Sequence, residues 1–503
     1  MNSRKILSLL GVGRLARKPN KRLEVLSRDQ IERIHSATMS LLGEVGVVIH
    51  NDEAVHHLSK MGIDCDLKNR LAKIPEEFVK ETIRKTPSRF NYYGREAQMS
   101  IGDDEVAFAD GGNPIKVLDL EGNYRRALLN DLTEFVRVYD FLDSVDFVMG
   151  PFTPVADVPD NLHHLYDYRV KIANTTKPFT HAHYTGTTEA LDLIEMASLV
   201  AGGKDELRKR PTVMGWENPL SPLGHIKEQV DAMLVFAKNG LPVLIAAAPQ
   251  SGSTAPATLA GLLVQQNAEI LSGFVIAQSV TEPGKRAPLI YGTAPATFDQ
   301  RYGTMIYGCP ESAMINVASS QIAKYYGLPC RGTAGTTESK LPDMQAGYEA
   351  MMTLLMTAMS GCNVIVDATG GALGPGIDAM SLEKAVIDNE VAASVSRILE
   401  GINVSDETLA MDAIREVGPG GHYLAIKHTL KHFATEHPMP KIGDKKPTDQ
   451  WLKDGGTDIR SRARERAKNI LRDHKPKPLD KSVEQMLDEF IEETKKKHKS
   501  TID

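Results

Sequence analysis

Apolar residues fall along this chain in two alternating rhythms. From residue 106 onward, short apolar runs ending in small or polar residues alternate with longer segments whose apolar positions recur every three or four residues. The runs are 106–109, 145–150, 177–182, 211–216, 241–248, 287–293, 328–333 and 362–368, and their starts recur every 30 to 46 residues. That spacing accommodates a strand, a helix and two short loops. The segments between and after them, 129–143, 162–173, 188–200, 225–238, 256–277, 311–326, 343–360 and 382–399, carry helical periodicity. Gly240, Gly327 and Gly361 sit where a left-handed cap residue belongs. Strands buried on both faces read as continuous apolar runs, and 242–248 is one.

Eight strand–helix units in succession predict an α/β protein, a (β/α)8 barrel of the TIM type over 106–400. An open doubly wound sheet is the rival. It would show a glycine-rich turn leading from the first strand into a helix, and here Gly111-Gly112 leads into Asn113-Pro114. The stretches 115–120 and 124–128 around Glu121-Gly122-Asn123 predict an inserted β-hairpin. Ahead of the barrel, 28–105 reads as a helical cap. Ser27 would cap an amphipathic helix over 28–65, a second helix follows Pro75 to about Arg84, and no strand alternation stands out. Residues 401–503 read as a charged helical extension, with Ser405 capping a helix through 411–415, Gly418-Pro419-Gly420-Gly421 breaking it, and a Lys-rich end.

Composition narrows the class. The chain has 503 residues, 42% hydrophobic and 25% charged, the balance of a globular protein. A formal net charge of -6 advertises no nucleic-acid-binding face. No run approaches the roughly 18 apolar residues of a membrane span. Residues 1–27 form a basic arm, expected to be solvated rather than an organellar presequence. Four scattered cysteines, Cys65, Cys309, Cys330 and Cys362, fit a reducing cytoplasm rather than a disulfide framework.

In a barrel of this type the carboxyl ends of the strands carry the chemistry. Those ends are rich in Gly, Ala, Ser and Thr, and they lack a nucleophile elbow, a phosphate loop or a converging set of metal ligands. His181 and His183 share one strand face without a third ligand that can be named, so no metal is predicted. Trp216, with Tyr184, Phe152, Tyr291 and Phe298, could line a pocket for a cation, since aromatic faces attract ammonium groups; ordinary packing is the alternative for each. Arg331 or His181 could anchor a carboxylate, or either could be paired structurally.

Residues 326–349, reading Tyr-Gly-Leu-Pro-Cys-Arg-Gly-Thr-Ala-Gly-Thr-Thr-Glu-Ser-Lys-Leu-Pro-Asp-Met-Gln-Ala-Gly-Tyr-Glu, resemble a segment of the trimethylamine:corrinoid methyltransferase family. Pro87-Ser88-Arg89-Phe90, 267–273, Thr297-Phe298-Asp299, 386–389 and 424–427 extend the resemblance over almost the whole chain. The trimethylamine enzymes carry pyrrolysine in this segment, and the corresponding position here is Thr336. Members without pyrrolysine resemble quaternary-amine methyltransferases acting on compounds such as glycine betaine. The resemblance therefore implies transfer of a methyl group from a quaternary amine to Co(I) of a corrinoid, cob(I)alamin or a related cobamide, carried by a cognate partner protein. Thr336 and Glu338 would stand beside the reacting methyl, with Gly332, Thr333, Gly335 and Gly370 next to the corrinoid. Trp216, Tyr184 and Phe298 would face the ammonium head, and Arg331 or His181 the carboxylate. A homo-oligomer is expected, without nucleic-acid or membrane partners. A non-catalytic betaine- or corrinoid-binding barrel stays open as the alternative, as does a zinc-dependent thiol methyltransferase.

Overall fold

The computed structural model describes residues 17–181, 186–294 and 296–499. Gly215–Glu217, Val243–Ala247, Leu289–Thr293, Cys330–Thr333, Val364–Val366 and Ala107–Phe108 lie side by side in that order, and every pairing is parallel. Parallel bridges extend the ladder from Ala109 to Phe147 and from Val148 to Phe179, bringing in the second and third runs. Numbered along the chain, the runs follow the spatial order 4-5-6-7-8-1-2-3. The eighth run neighbours the first, and the order never reverses as a doubly wound sheet must. Between the third and fourth runs no strand pairing occurs among the described residues. Val243–Ala247 and Leu289–Thr293 are buried at every position, as strands covered on both faces should be.

The eight helices begin and end within three residues of their predicted limits, from Leu129–Phe141 to Leu382–Glu400. Gly240, Gly327 and Gly361 take φ of +68°, +69° and +77° just past three of them. Leu259–Gln278 is long and apolar enough to cross a membrane by composition, yet 78% of its most apolar window is buried inside the protein. Polar ties fix it there: Gln266 donates to Ser319 and accepts from Thr293.

The opening region differs from the all-helical cap expected over 28–105. Ser27 does cap Arg28–Ser40, in a reciprocal capping box with Gln30. The helix then ends in a wider turn at Leu41–Val45, and Val47–Ile49, Leu71–Lys73 and Asp64–Asp66 form a small sheet with Gly224–His225. Gly46 makes the reversal possible at φ +82°, since a Cβ there would lie 2.5 Å from the Ala72 carbonyl oxygen. Strands of three residues are too short to display alternation, so they were invisible in the sequence. Pro75 is the N-cap of Glu76–Lys85 rather than its first residue. An unpredicted hairpin, Arg89–Tyr93 with Gln98–Gly102, covers the amino ends of the strands. Tyr92 donates to the Phe179 carbonyl, and Asn363 donates to the carbonyls of Gly102, Asp103 and Glu105.

Two further sheets rise from the carboxyl ends. The predicted hairpin forms from Lys116–Leu118 and Tyr124–Arg126, and it is joined there by Ala379–Ser381 and Ala372–Leu373. Gln250–Ser251, Ala296–Asp299 and Thr304–Ile306 make the other. At the far end of the chain, Ile459–Asp473 buries Ala463, Ala467 and Ile470, and Arg460 and Arg464 both bond Glu383 at 2.5 and 2.6 Å.

Candidate active site

Charged and unbonded groups collect at the carboxyl ends of the strands, where connections between strand and helix leave backbone and side chains facing a common mouth. Arg331 lies in the seventh strand, 6% exposed. Its Nη1 donates to the Thr293 carbonyl at 2.6 Å and to Thr333 Oγ1 at 2.7 Å, and its guanidinium lies 5.3 Å from the centre of the Trp216 ring. Trp216 is buried and donates from Nε1 to Asn218. The ring considered for a substrate ammonium thus already holds Arg331 on one face. The two sequence candidates of the fourth and seventh strands meet in a single unit.

Thr336 is buried, and its hydroxyl has no partner. Glu338 has a different placement. Its carboxylate accepts from the backbone N–H of Tyr307 and Gly308 at 2.7 to 3.1 Å, so it anchors that turn; burial is the main cause of its raised pKa. Gly332 faces the helix layer, where a Cβ would stand 2.7 Å from Asn316 Oδ1 and 3.2 Å from a Thr357 methyl. Its small size serves strand–helix packing, away from the mouth, and a corrinoid contact is not proposed for it. Gly335 lets the seventh strand's loop pass close to Asp367 and Ala368, and Gly370 lies against Gly111 and Asp110. Phe298 is half-buried on the upper sheet, opposite Met305. Tyr184 and His183 lie outside the described residues.

His181 ends the third run within a buried ionic group. Its Nδ1 is 2.8 Å from Asp167, which also takes the Lys171 ammonium at 2.7 Å; Lys171 further donates to the Met149 and Thr180 carbonyls. Burial pushes the Asp167 carboxyl upward, but Lys171 and His181 outweigh it and hold it at about 2. His163, whose ring centre is 6.3 Å from that of His181, is buried with neither nitrogen bonded, and burial lowers it to about 4. His181 is therefore tied to a carboxylate and a lysine, not free to hold a substrate acid through Nδ1.

Sequence reasoning missed the acids. Asp110 follows the first strand run, accepts from the N–H of Met149 and Gly150, and is raised by burial to about 6. Asp367 follows the eighth strand at φ +67°, 1% exposed, with Oδ1 unbonded, and burial raises it to about 7. A signal existed, because Asp110 immediately follows its apolar run and Asp367 is the sole acid within its own. Tyr307 stands within electrostatic reach of both Asp367 and Arg331, and burial raises its phenol to about 12.

A parallel α/β scaffold with perturbed acids, an anchored arginine and unbonded hydroxyls at the strand ends has the make-up of an enzyme's active site. The family model for trimethylamine methyltransferase (MTTB) matches residues 7–499. A glycine betaine methyltransferase of Desulfitobacterium hafniense is 34% identical over 93% of this chain and 96% of its own. A trimethylamine methyltransferase MttB of the same species is 33% identical, covering 93% of each chain, and one from Methanosarcina barkeri is 31% identical over 94% of this chain and 96% of its own. The solved hydroxylamine complex of MtmB shares the fold, at a TM-score of 0.50 and 12% identity over 93% of this chain and 92% of that one. The chain belongs to the trimethylamine methyltransferase (MTTB) family and is a methyltransferase.

Proposed function

We propose that the enzyme takes a methyl group from a quaternary amine, glycine betaine or a related betaine, and passes it to Co(I) of a corrinoid carried by a partner protein. The observation that carries this reading is Thr336, at the position the family resemblance gives to pyrrolysine. A threonine has no imine to capture an amine lone pair, and a quaternary nitrogen has no lone pair to capture. Similarity to a glycine betaine methyltransferase over nearly the whole chain supports the same class of donor.

The chemistry asks little of acid–base groups. As the methyl carbon is attacked in line, its bond to nitrogen breaks, the electron pair stays on nitrogen, and a neutral tertiary amine departs without needing a proton. Positioning and exclusion of water then supply the rate. Arg331, oriented by Thr293, Thr333 and Trp216, holds the substrate carboxylate. Tyr184 and Phe298 are assigned to the ammonium head by the family resemblance, and His181 is held by Asp167. Thr336 marks the place of the reacting methyl, and Glu338 sets the turn that carries Tyr307. Gly335 brings the seventh loop against the eighth and Gly370 brings the eighth against the first, and the flat corrinoid would approach over these small residues. In this reading the sheet closes into a (β/α)8 barrel, and the enzyme works in the cytoplasm as a homo-oligomer.

Cobalt spectroscopy tests the reading. The purified enzyme, given cob(I)alamin and glycine betaine, should form methylcobalamin and dimethylglycine in equal amounts. Carnitine, γ-butyrobetaine and proline betaine would rank pocket size. No methyl transfer across this panel would overturn the proposal in favour of simple binding.

A further inference from the structure

We propose that Arg331 and Asp367 form a split charge pair that reads a zwitterion, Arg331 binding the carboxylate and Asp367 the quaternary ammonium. The inference rests on the betaine reading of the site and adds the residue that recognises the cation. The two groups belong to adjacent strands. Arg331 pairs in register with Val364 and Thr333 with Val366, so Asp367 follows one step beyond. Both are buried, yet among the described residues neither makes an ion pair. Arg331 Nε and Asp367 Oδ1 have no hydrogen-bond partner at all.

Buried opposite charges close enough to influence one another ordinarily collapse into contact, because an unpaired buried charge is costly. Here both are restrained. Arg331 is tied by Thr293, Thr333 and the Trp216 ring. Asp367 takes a φ of +67°, which turns it out of the strand ladder just after Val366. The hydroxyls of Thr336 and Thr369 are likewise buried and unbonded. A ligand carrying both charges would neutralise the guanidinium and the carboxylate together. Tetraalkylammonium has no N–H to donate, so a carboxylate attracting it by charge alone is a suitable partner.

The donor's positive charge disappears as the methyl group leaves. Contact with Asp367 is therefore stronger in the ground state than in the transition state, and its loss should fall on KM rather than on kcat.

Calorimetry on the full-length protein separates the two charges. The ligands are glycine betaine, choline, which lacks the carboxylate, and 3,3-dimethylbutanoate, which has carbon in place of nitrogen. Wild type should prefer betaine to 3,3-dimethylbutanoate by about tenfold or more, and Asp367→Asn should reduce that ratio to near one. Arg331→Gln should instead erase the preference for betaine over choline. A measurement on the unaltered protein guards against misfolding of the variants. Burial places Asp367 at about 7, among Arg331, Asp110, Lys384, Asp388, Tyr139 and Tyr307. The wild-type preference for betaine over 3,3-dimethylbutanoate should therefore grow as pH rises from about 6 to about 8. An unchanged ratio in Asp367→Asn, or a ratio flat with pH, overturns the proposal while methyl transfer from betaine still stands. Failure of wild type to bind or demethylate any betaine would overturn the substrate reading, and this inference with it.

Discussion

Single residues at the mouth work against the stability of the fold. Burial raises Asp367 from an ordinary carboxylate value to about 7, so the folded protein binds its proton more tightly than the unfolded chain does. Stability is then lost as pH rises from about 4 to about 7, and an aspartate that stays charged above that range destabilises the fold by about 1.4 kcal/mol for each unit of the shift. Asp367→Asn should melt higher than wild type near pH 8, by several degrees in a thermal scan, with the difference vanishing toward about pH 4. A lower Tm at every pH would mean that the carboxylate has a structural partner. In the proposed site Trp216 acts through Arg331, which lies over its ring. Truncation to Ala should raise KM for betaine about 2- to 30-fold, the range a lost cation–π contact implies, and Trp216→Phe should recover part of it. Arg331 and Trp216 stand out in the sequence because an arginine inside an apolar run and a rare tryptophan closing one are conspicuous. Their stacking was not, since it joins strands separated by 115 positions in the chain, 216 to 331. Asp367 was read as part of an apolar run because alternation alone does not reveal the left-handed turn that removes it from the ladder.

Elements follow from packing that can be tested one contact at a time. Gly292 lies mid-strand, and a Cβ there would stand 2.7 Å from the Ile245 carbonyl oxygen and 2.8 Å from Ala246 Cβ. Gly292→Ala should cost about 1–3 kcal/mol, read as a lowered midpoint in denaturant. Glu383 is wholly buried under Arg460 and Arg464, and this joins the helix Leu382–Glu400 to Ile459–Asp473. Glu383→Gln should loosen that outer helix, detectable as faster amide exchange over 459–473 with the strands still protected. The eight strand–helix units were readable because long periodic segments carry a strong signal. The three-residue strands near the amino end and the upper sheet at Ala296–Asp299 were not, because pairing with distant segments, rather than their own pattern, defines them.

At the scale of the whole molecule, one hydrophobic cluster runs from Ile31 to Ile491, and it leaves the segment 401–440 outside. The helices Asp406–Leu409, Met411–Val417 and Lys427–Glu436 bury no residue, while Ile402, Leu424, Leu430 and Met439 are 84%, 82%, 75% and 70% exposed. Apolar exposure of this kind marks an interaction surface, and the homo-oligomer proposed above would cover it. Light scattering on the purified protein should give a mass at least twice the 55.1 kDa of the chain, and Leu424→Ser with Leu430→Ser should reduce it. The spatial order of the strands was not written in the sequence, which specifies units but not their neighbours. That order nevertheless places residues 110, 331 and 367 on three neighbouring strand ends of the parallel ladder. Initial rates of cobalt methylation should be compared for glycine betaine and trimethylamine at equal concentrations. The account predicts turnover of glycine betaine and none of trimethylamine; rapid turnover of trimethylamine, with every quaternary amine left untouched, would contradict it.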